Sequence, residues 1–230
     1  MIELDKGQEG RPPGIGDDID ASRLKEGERL AVTIEVADLE KDSAAVAAIY
    51  SQDDIIIHLA GVAPGMLDEK KYQDLRNEYG PLIAATADGV KGYYRRHQDE
   101  VLYVAKTDDR KVVGVVTSQP PGVGVRIVTV GRLGVDTDYR RSGVARKLVE
   151  RVRDEAFKNP NISQIDAAIL ILGGPEDSGG ALSFFRKLGF TGITEASDTC
   201  ISWSPKVNDF VGTGSFRLSL PRNGIIRNSL

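Results

Sequence analysis

The sequence has little of what metal and disulfide sites are made from. Among 230 residues there is one cysteine, Cys200, and there are two histidines, His58 and His97. A single thiol forms no internal disulfide framework, and this set is too small for a Cys/His zinc site. No metal is expected. No apolar run approaches the about 20 residues needed to span a bilayer, and Met1-Ile2-Glu3-Leu4-Asp5 lacks the basic and apolar regions of a signal peptide. Membrane attachment is not expected, and the cytoplasm is the default location. There is no excess of positive charge either. The formal net charge of −4 gives no global attraction to nucleic acid. What remains is an ordinary globular composition, 40% hydrophobic and 28% charged, with enough length for one substantial core.

Hydrophobic periodicity divides the chain. Residues 1–29 hold Pro12, Pro13 and several glycines without apolar periodicity, and read as a flexible tail. From Leu30 the pattern alternates through Val32, Ile34 and Val36, as a half-buried strand requires. Asp38 or Asp42 can cap a following helix with Ala45, Val46, Ile49 and Tyr50 on its apolar side. Residues 55–97 predict one or two helices, interrupted at Pro64-Gly65 and Gly80-Pro81. Two strands, 101–106 and 111–118, flank a four-residue turn at Thr107-Asp108-Asp109-Arg110. A longer strand follows from about Val123 to Val135, where Gly131 and Gly134 suggest a bulge. Val144, Leu148, Val152 and Ala156 then form the apolar stripe of an amphipathic helix. Ile165 to Leu172 is nearly uninterrupted apolar sequence, as suits a buried parallel strand. A last helix ends at Gly189, and 199–203 reads as the closing strand. The folded unit is expected over 30–204, with 205–230 an extension beyond it.

The junction between the long strand and its helix carries the chemistry. Arg140-Arg141-Ser142-Gly143-Val144-Ala145 lies where the strand ends and the helix begins. The first N–H groups of a helix have no intrahelical partner, and the macrodipole adds partial positive charge there. Gly143 lets a ligand approach the backbone, and Ala145 keeps the next turn small. Arg140, Arg141, Arg146 and Lys147 add full positive charges, which suits phosphate oxygens.

The spacing Arg140-x-x-Gly143-x-Ala145 resembles the acetyl-coenzyme A signature of the GNAT superfamily of N-acetyltransferases. Leu133-Gly134-Val135-Asp136-Thr137-Asp138-Tyr139 resembles that family's approach to the motif, with Thr137 where proline is common. Ala181-Leu182-Ser183-Phe184-Phe185-Arg186-Lys187-Leu188-Gly189-Phe190 resembles its last conserved helix. The resemblance implies an α/β, three-layer GNAT-like fold with a mixed, centrally splayed β-sheet flanked by helices. It implies acetyl-coenzyme A as co-substrate, bound by Leu133, Gly134 and Val135, by the turn Arg140 to Ala145, and by Ser178 and Phe185. A backbone N–H near Leu133 would receive the thioester oxygen. The acceptor would be an amine of a small molecule or peptide, attacking directly, and a homodimer is allowed.

Departures from the family pattern fall on its acid and base. The position of the usual tyrosine, four residues before Gly189, is Phe185, which has no proton to give. A common asparagine aligns with Ser178. The glutamate base usual on the motif strand is missing, because only Asp108 and Asp109 are acidic between Val101 and Val135. Candidate bases are Glu100, Asp99, His97, Asp54 and His58, with Glu195 and Asp198 after the last helix. Glu100 and Ser178 are taken as the catalytic candidates. A non-catalytic acyl-coenzyme A sensor is the alternative reading, and a longer acyl chain a third.

Overall fold

The computed structural model of the chain describes residues 30–52, 57–59, 68–83, 85–171, 180–204 and 209–222. The expected tail at 1–29 and Ser178 lie outside them. The alternating segment forms β1 (Thr33–Val36). Asp38 caps α1 (Leu39–Tyr50) by accepting from the Glu40 N–H, and the helix buries Val46, Ala47, Ile49 and Tyr50. A short strand that the sequence pattern did not predict, β2 (Ile57–Leu59), comes next.

Two helices follow, α2 (Glu69–Ile83) and α3 (Ala87–Arg96). Gly80-Pro81, expected to interrupt the first, falls inside its last turn instead. A proline there removes one backbone bond without stopping a helix that ends two residues later. Thr86 caps α3 by accepting from the Gly89 N–H, and Arg95 and Arg96 occupy its last turn, where positive charge suits the dipole. The predicted hairpin is β3 (Val101–Lys106) and β4 (Val112–Gln119). β5 (Ile127–Val135) is shorter than expected at its start, since 122–125 form a turn in which the Val125 N–H donates to the Gly122 carbonyl at 3.0 Å. Then come α4 (Val144–Ala156), β6 (Gln164–Ile171), α5 (Ala181–Lys187), β7 (Thr191–Ser204) and β8 (Asp209–Pro221).

Among the described residues these strands make one sheet, in the order β1-β3-β4-β5-β6-β8-β7-β2. The pairings are antiparallel except β5 with β6, which are joined through α4 as parallel neighbours require. Residues 209–221 correct the expected boundary at 204. β8 is no extension, because it pairs with β6 on one side and β7 on the other. Leu218 and Leu220 are fully buried while Arg217 is exposed, the alternation of a strand with one face in the core.

Two apolar clusters cover the two faces. On one face Val144, Leu148, Val149 and Val152 of α4 join Phe185, Val113, Val116, Val128, Val130, Ile165 and Leu218. On the other, α1 and α3 bring Val46, Ile49, Tyr50, Val90, Tyr93 and Tyr94 against Leu102, Val104, Val115 and Trp203. The result is the expected three-layer, mixed-sheet architecture.

Candidate active site

The sheet opens at its only parallel pair among the described residues. β5 and β6 are in register from Ile127↔Gln164 to Val130↔Ala167, and the pairing stops there. Both strands continue, β5 to Val135 and β6 to Ile171. The free stretch of β6 is drawn to β8, with which it pairs from Ala168↔Arg217 to Ile171↔Gly214. The free stretch of β5 stays with β4, through Val115↔Gly134 and Gly114↔Val135. The expected central splay is therefore present, with strand edges facing each other across a gap.

Hydrogen-bond alternation orients the β5 edge. The Asp136 N–H donates to the Val113 carbonyl at 3.1 Å. Counting back by two puts the Gly134 N–H on the β4 side as well. The N–H groups of Leu133 and Val135 then point away from β4, toward the gap. Unpaired strand N–H groups facing an opening are what an extended ligand with amide groups can add to.

Above the gap, a turn leads into α4. Thr137–Tyr139 form a single 3-10 turn capped by Asp136. The Arg140 Nε donates to the Val135 carbonyl at 3.2 Å, and the Ser142 hydroxyl donates to the Tyr139 carbonyl at 2.6 Å. Arg141 has φ +65° and Gly143 φ +89°. The glycine is needed for that conformation, and a Cβ built on it meets nothing within 4 Å, so space lies directly outside the turn. Gly143 is the N-cap of α4 and offers no side-chain acceptor, so no side chain caps the first amides of the helix. Gly114 holds this helix start close to the sheet. A Cβ there would come within 2.7 Å of Val144 and 3.0 Å of Leu148.

The cations divide into two kinds. Arg140 and Arg141 are exposed beside the turn. Arg146 pairs with Glu150 at 2.9 Å, and the Lys147 ammonium donates to the Leu30 carbonyl at 2.9 Å. The expected ring of four charges is thus two exposed arginines and two half-buried cations with partners.

On the α1 and α3 side of β5 lies a polar cluster. The β4–β5 register shifts between Val115↔Gly134 and Thr117↔Gly131, so Arg132 and Leu133 together face Val116. This is the predicted bulge, but its left-handed residue is Arg132, at φ +42°, and not a glycine. Its guanidinium pairs with Glu100 at 2.5 Å, donates to the Tyr93 hydroxyl and lies 4.6 Å from the Tyr93 ring centre. Glu100 also accepts from the Tyr93 hydroxyl at 3.1 Å and from Gln119 at 3.2 Å. The side chains of Arg132 and Glu100 are 11% and 10% exposed. Both carboxylate oxygens of Glu100, expected as a catalytic base, are engaged here, as suits a counter-ion to Arg132. Burial pushes the Tyr93 hydroxyl well above the usual tyrosine range, the nearby Arg132 charge opposing it, so it is a poor proton donor. Tyr50, Tyr94 and Thr117 continue the polar row, with oxygens 2.8 and 2.7 Å apart.

The other sequence candidates separate. Phe185 is 6% exposed and packs edge-on against Phe184 and Phe190, at 5.0 and 5.1 Å. Expected at the cofactor site, it is packed into the apolar cluster on the α4 side. His97 ends α3, stacked on Tyr93 at 4.1 Å, and Asp99 is exposed. Asp54 lies outside the described residues. His58 is placed on β2, and Glu195 and Asp198 on β7, by their backbones alone. Two charged residues went unremarked in the sequence, Arg132 and Asp166. Asp166 is 2% exposed on β6, accepting from Gln164 at 2.6 Å and Ser219 at 2.8 Å. The available signal was a charged residue inside an otherwise apolar strand. Among the described residues no cluster of three or more His, Cys, Asp or Glu could hold a metal, and no helix is long and apolar enough to cross a membrane.

Comparison with known proteins bears on this geometry. Residues 98–192 match the family model described as acetyltransferase (GNAT) domain. No curated protein matches the sequence. Solved structures resemble its fold. Mutant forms of the spermidine/spermine N-acetyltransferase SpeG of Vibrio cholerae superpose with a TM-score of 0.53 at 12% identity, over 83% of this chain and 94% of that one. An N-acetyltransferase from Staphylococcus aureus gives 0.52 at 18% identity, over 84% and 99%. The yncA protein of Salmonella typhimurium, solved with its cofactor acetyl-CoA, gives 0.52 at 18% identity, over 86% and 98%. At these identities the likeness to solved structures is one of fold.

Proposed function

From the match of residues 98–192 to the acetyltransferase (GNAT) domain model, we propose an acetyl-CoA-dependent N-acetyltransferase whose co-substrate lies in the gap between β5 and β6. The observation that supports it best is the end of the β5–β6 pairing at Val130↔Ala167, directly below an uncapped helix start. Amide groups of the pantetheine arm suit the N–H groups of Leu133 and Val135. The pyrophosphate suits the first amides of α4, with Arg140 and Arg141 beside them. The Leu133 N–H would receive the thioester oxygen as negative charge develops on it. The acceptor is a primary amine of a small molecule or peptide. Its nitrogen bonds to the acyl carbon as the C–S bond breaks, the sulfur leaves with the bonding pair as thiolate, the nitrogen gives up one proton to solvent, and proximity supplies much of the rate.

This reading asks little of a general acid. A thiol with a pKa of roughly 8.5 leaves as thiolate about 2 kcal/mol uphill at pH 7. The base matters more, and with Glu100 engaged by Arg132 the amine must arrive neutral. At pH 7 on the order of one in a thousand lysine-like amines is neutral, against about one in ten α-amino groups. An α-amino or other weakly basic acceptor is therefore preferred. The rate on a lysine-like acceptor should climb steeply with pH in a competition assay, and fast, pH-insensitive acetylation of a lysine side chain would refute this preference.

The test of the site is Gly143→Glu. The new side chain enters the open space beside the turn, in a strained backbone conformation, and puts negative charge where phosphate is expected. Calorimetry should show coenzyme A affinity falling by on the order of a hundredfold or more, with the circular dichroism spectrum retained. Equal binding by both proteins would overturn the proposed site.

A further inference from the structure

The bulge that separates Gly131 from Gly134 sits in an unusual state for its sequence. A left-handed arginine is uncommon, and such residues persist where the surroundings fix them. Here the surroundings are specific. Arg132 is held by Glu100 just before β3 and by the hydroxyl and ring of Tyr93 on α3, and Gln119 at the end of β4 in turn donates to Glu100. A planar guanidinium offers several N–H donors in a fixed fork, so its partners set its orientation as well as its position. Removing a full ion pair from water is costly, and apolar side chains of similar size would pack there without that cost. The pair therefore needs a reason beyond filling space.

We propose that Arg132, Glu100 and Tyr93 form a positioning cluster that locks the β5 bulge and so aims the N–H of the next residue, Leu133, at the acyl oxygen. This inference rests on the reading that the thioester lies at that N–H. Because Arg132 and Leu133 together oppose the single residue Val116, rotation of one backbone unit swings the other. The cluster draws Arg132 to the α3 side, while Leu133 packs with the α4 cluster. The peptide unit between them is fixed from both faces of the sheet. Glu100 serves as the counter-ion that keeps the guanidinium in place, and all three act through Leu133.

The test replaces the ion pair as a unit. Arg132→Met with Glu100→Leu keeps apolar volume while removing both charges. Acetyl-CoA labelled with carbon-13 at the thioester carbonyl is the probe, read by infrared difference spectroscopy on the full chain, with coenzyme A affinity from calorimetry. In the unaltered protein a hydrogen bond from Leu133 lowers the carbonyl frequency below that of free acetyl-CoA. In the double variant coenzyme A affinity should stay within about threefold, while the carbonyl returns toward its free frequency. Transfer to a small amine should fall by on the order of a hundredfold, as loss of one oxyanion donor does. An unchanged carbonyl frequency in the double variant overturns the proposal. Should that variant fail to fold, Tyr93→Phe retains the ring and removes the hydroxyl link. It should shift the carbonyl part of the way toward the free value, and no shift overturns the proposal. Failure of the unaltered protein to bind coenzyme A would instead overturn the proposed function itself.

Discussion

Two cations are buried in this sheet, and they are held differently. Lys106, at the end of β3, has a side chain 4% exposed and pairs with Asp42 at 2.8 Å and Glu35 at 2.6 Å. Arg132, separated from it by β4, has one carboxylate partner and an aromatic ring. Both stand at shifts of strand register, at Ala105/Lys106 and at the β4–β5 bulge. Only Arg132 has left-handed backbone, and only Arg132 borders the opening between β5 and β6. An ammonium is a point charge that tolerates many approach angles, whereas a guanidinium fixes the plane of its partners. Lys106 ties α1 to the sheet through Asp42, which also accepts from the Asp38 N–H at 2.9 Å. Burial of a charge pair thus marks no function by itself. What sets Arg132 apart is its left-handed backbone beside the opening.

Single substitutions should separate the two sites. Arg132→Met leaves Glu100 buried with only Tyr93 and Gln119 as donors, and should cost about 3–5 kcal/mol of stability. Turnover per folded molecule should fall with it. Lys106→Met leaves Asp42 with a backbone donor and Glu35 with Arg110, at 2.8 Å. It should cost less, about 1–3 kcal/mol, and leave turnover per folded molecule unchanged. Denaturant melts with acetyl transfer on the same preparations measure both quantities. Equal losses of turnover at the two positions would erase the distinction.

The pH dependence of stability sharpens the same contrast. Burial alone would depress the Lys106 ammonium, but the hydrogen bonds and charges of Asp42 and Glu35 outweigh it and hold its pKa above the usual value. A cation with a raised folded pKa contributes stability that is fully present below its unfolded value, about 10.4, and is lost as pH rises through the folded one. The stability difference between the unaltered protein and Lys106→Met should stay level from neutral pH to about 10 and shrink above it. Melts across that range check this, and a difference that shrinks already below pH 9 would mean the ammonium is not held as described.

The α4 side of the sheet was far easier to read than the side covered by α1, α2 and α3. Val144, Leu148 and Val152 repeat at helical spacing, and the strand, turn and helix around Gly143 are continuous in sequence, so local rules reach them. The Arg132 cluster joins residues 93, 100, 119 and 132, brought together only by folding. Glu100 was legible as an acid near the site, but its role depends on a partner 32 residues away. β8 was missed for a related reason. Leu218 and Leu220 alternate with Arg217 and Ser219 clearly enough for a strand. Nothing local says that this strand inserts between β6 and β7, because partner choice is a long-range property. Gly80-Pro81 misled in the other direction, since a proline in a last turn ends little.

The smallest expected effect belongs to Phe185, where the sequence comparison pointed to a missing proton donor. If the hydroxyl were the only thing lacking, Phe185→Tyr would speed transfer at pH 7 and lose its advantage above about pH 9, where a thiolate of pKa near 8.5 is stable unaided. The ring, however, is packed edge-on between Phe184 and Phe190 in the α4 cluster. A hydroxyl placed among those apolar contacts loses water and gains no partner, which costs about 1–2 kcal/mol. The expected result is a modest loss of stability with no gain in rate at pH 7. Thermal melts and initial rates at pH 7 and pH 9 measure both. A rate gain confined to pH 7 would show that the far edge of this ring reaches the departing thiolate, and the core assignment of Phe185 would then give way to a catalytic one.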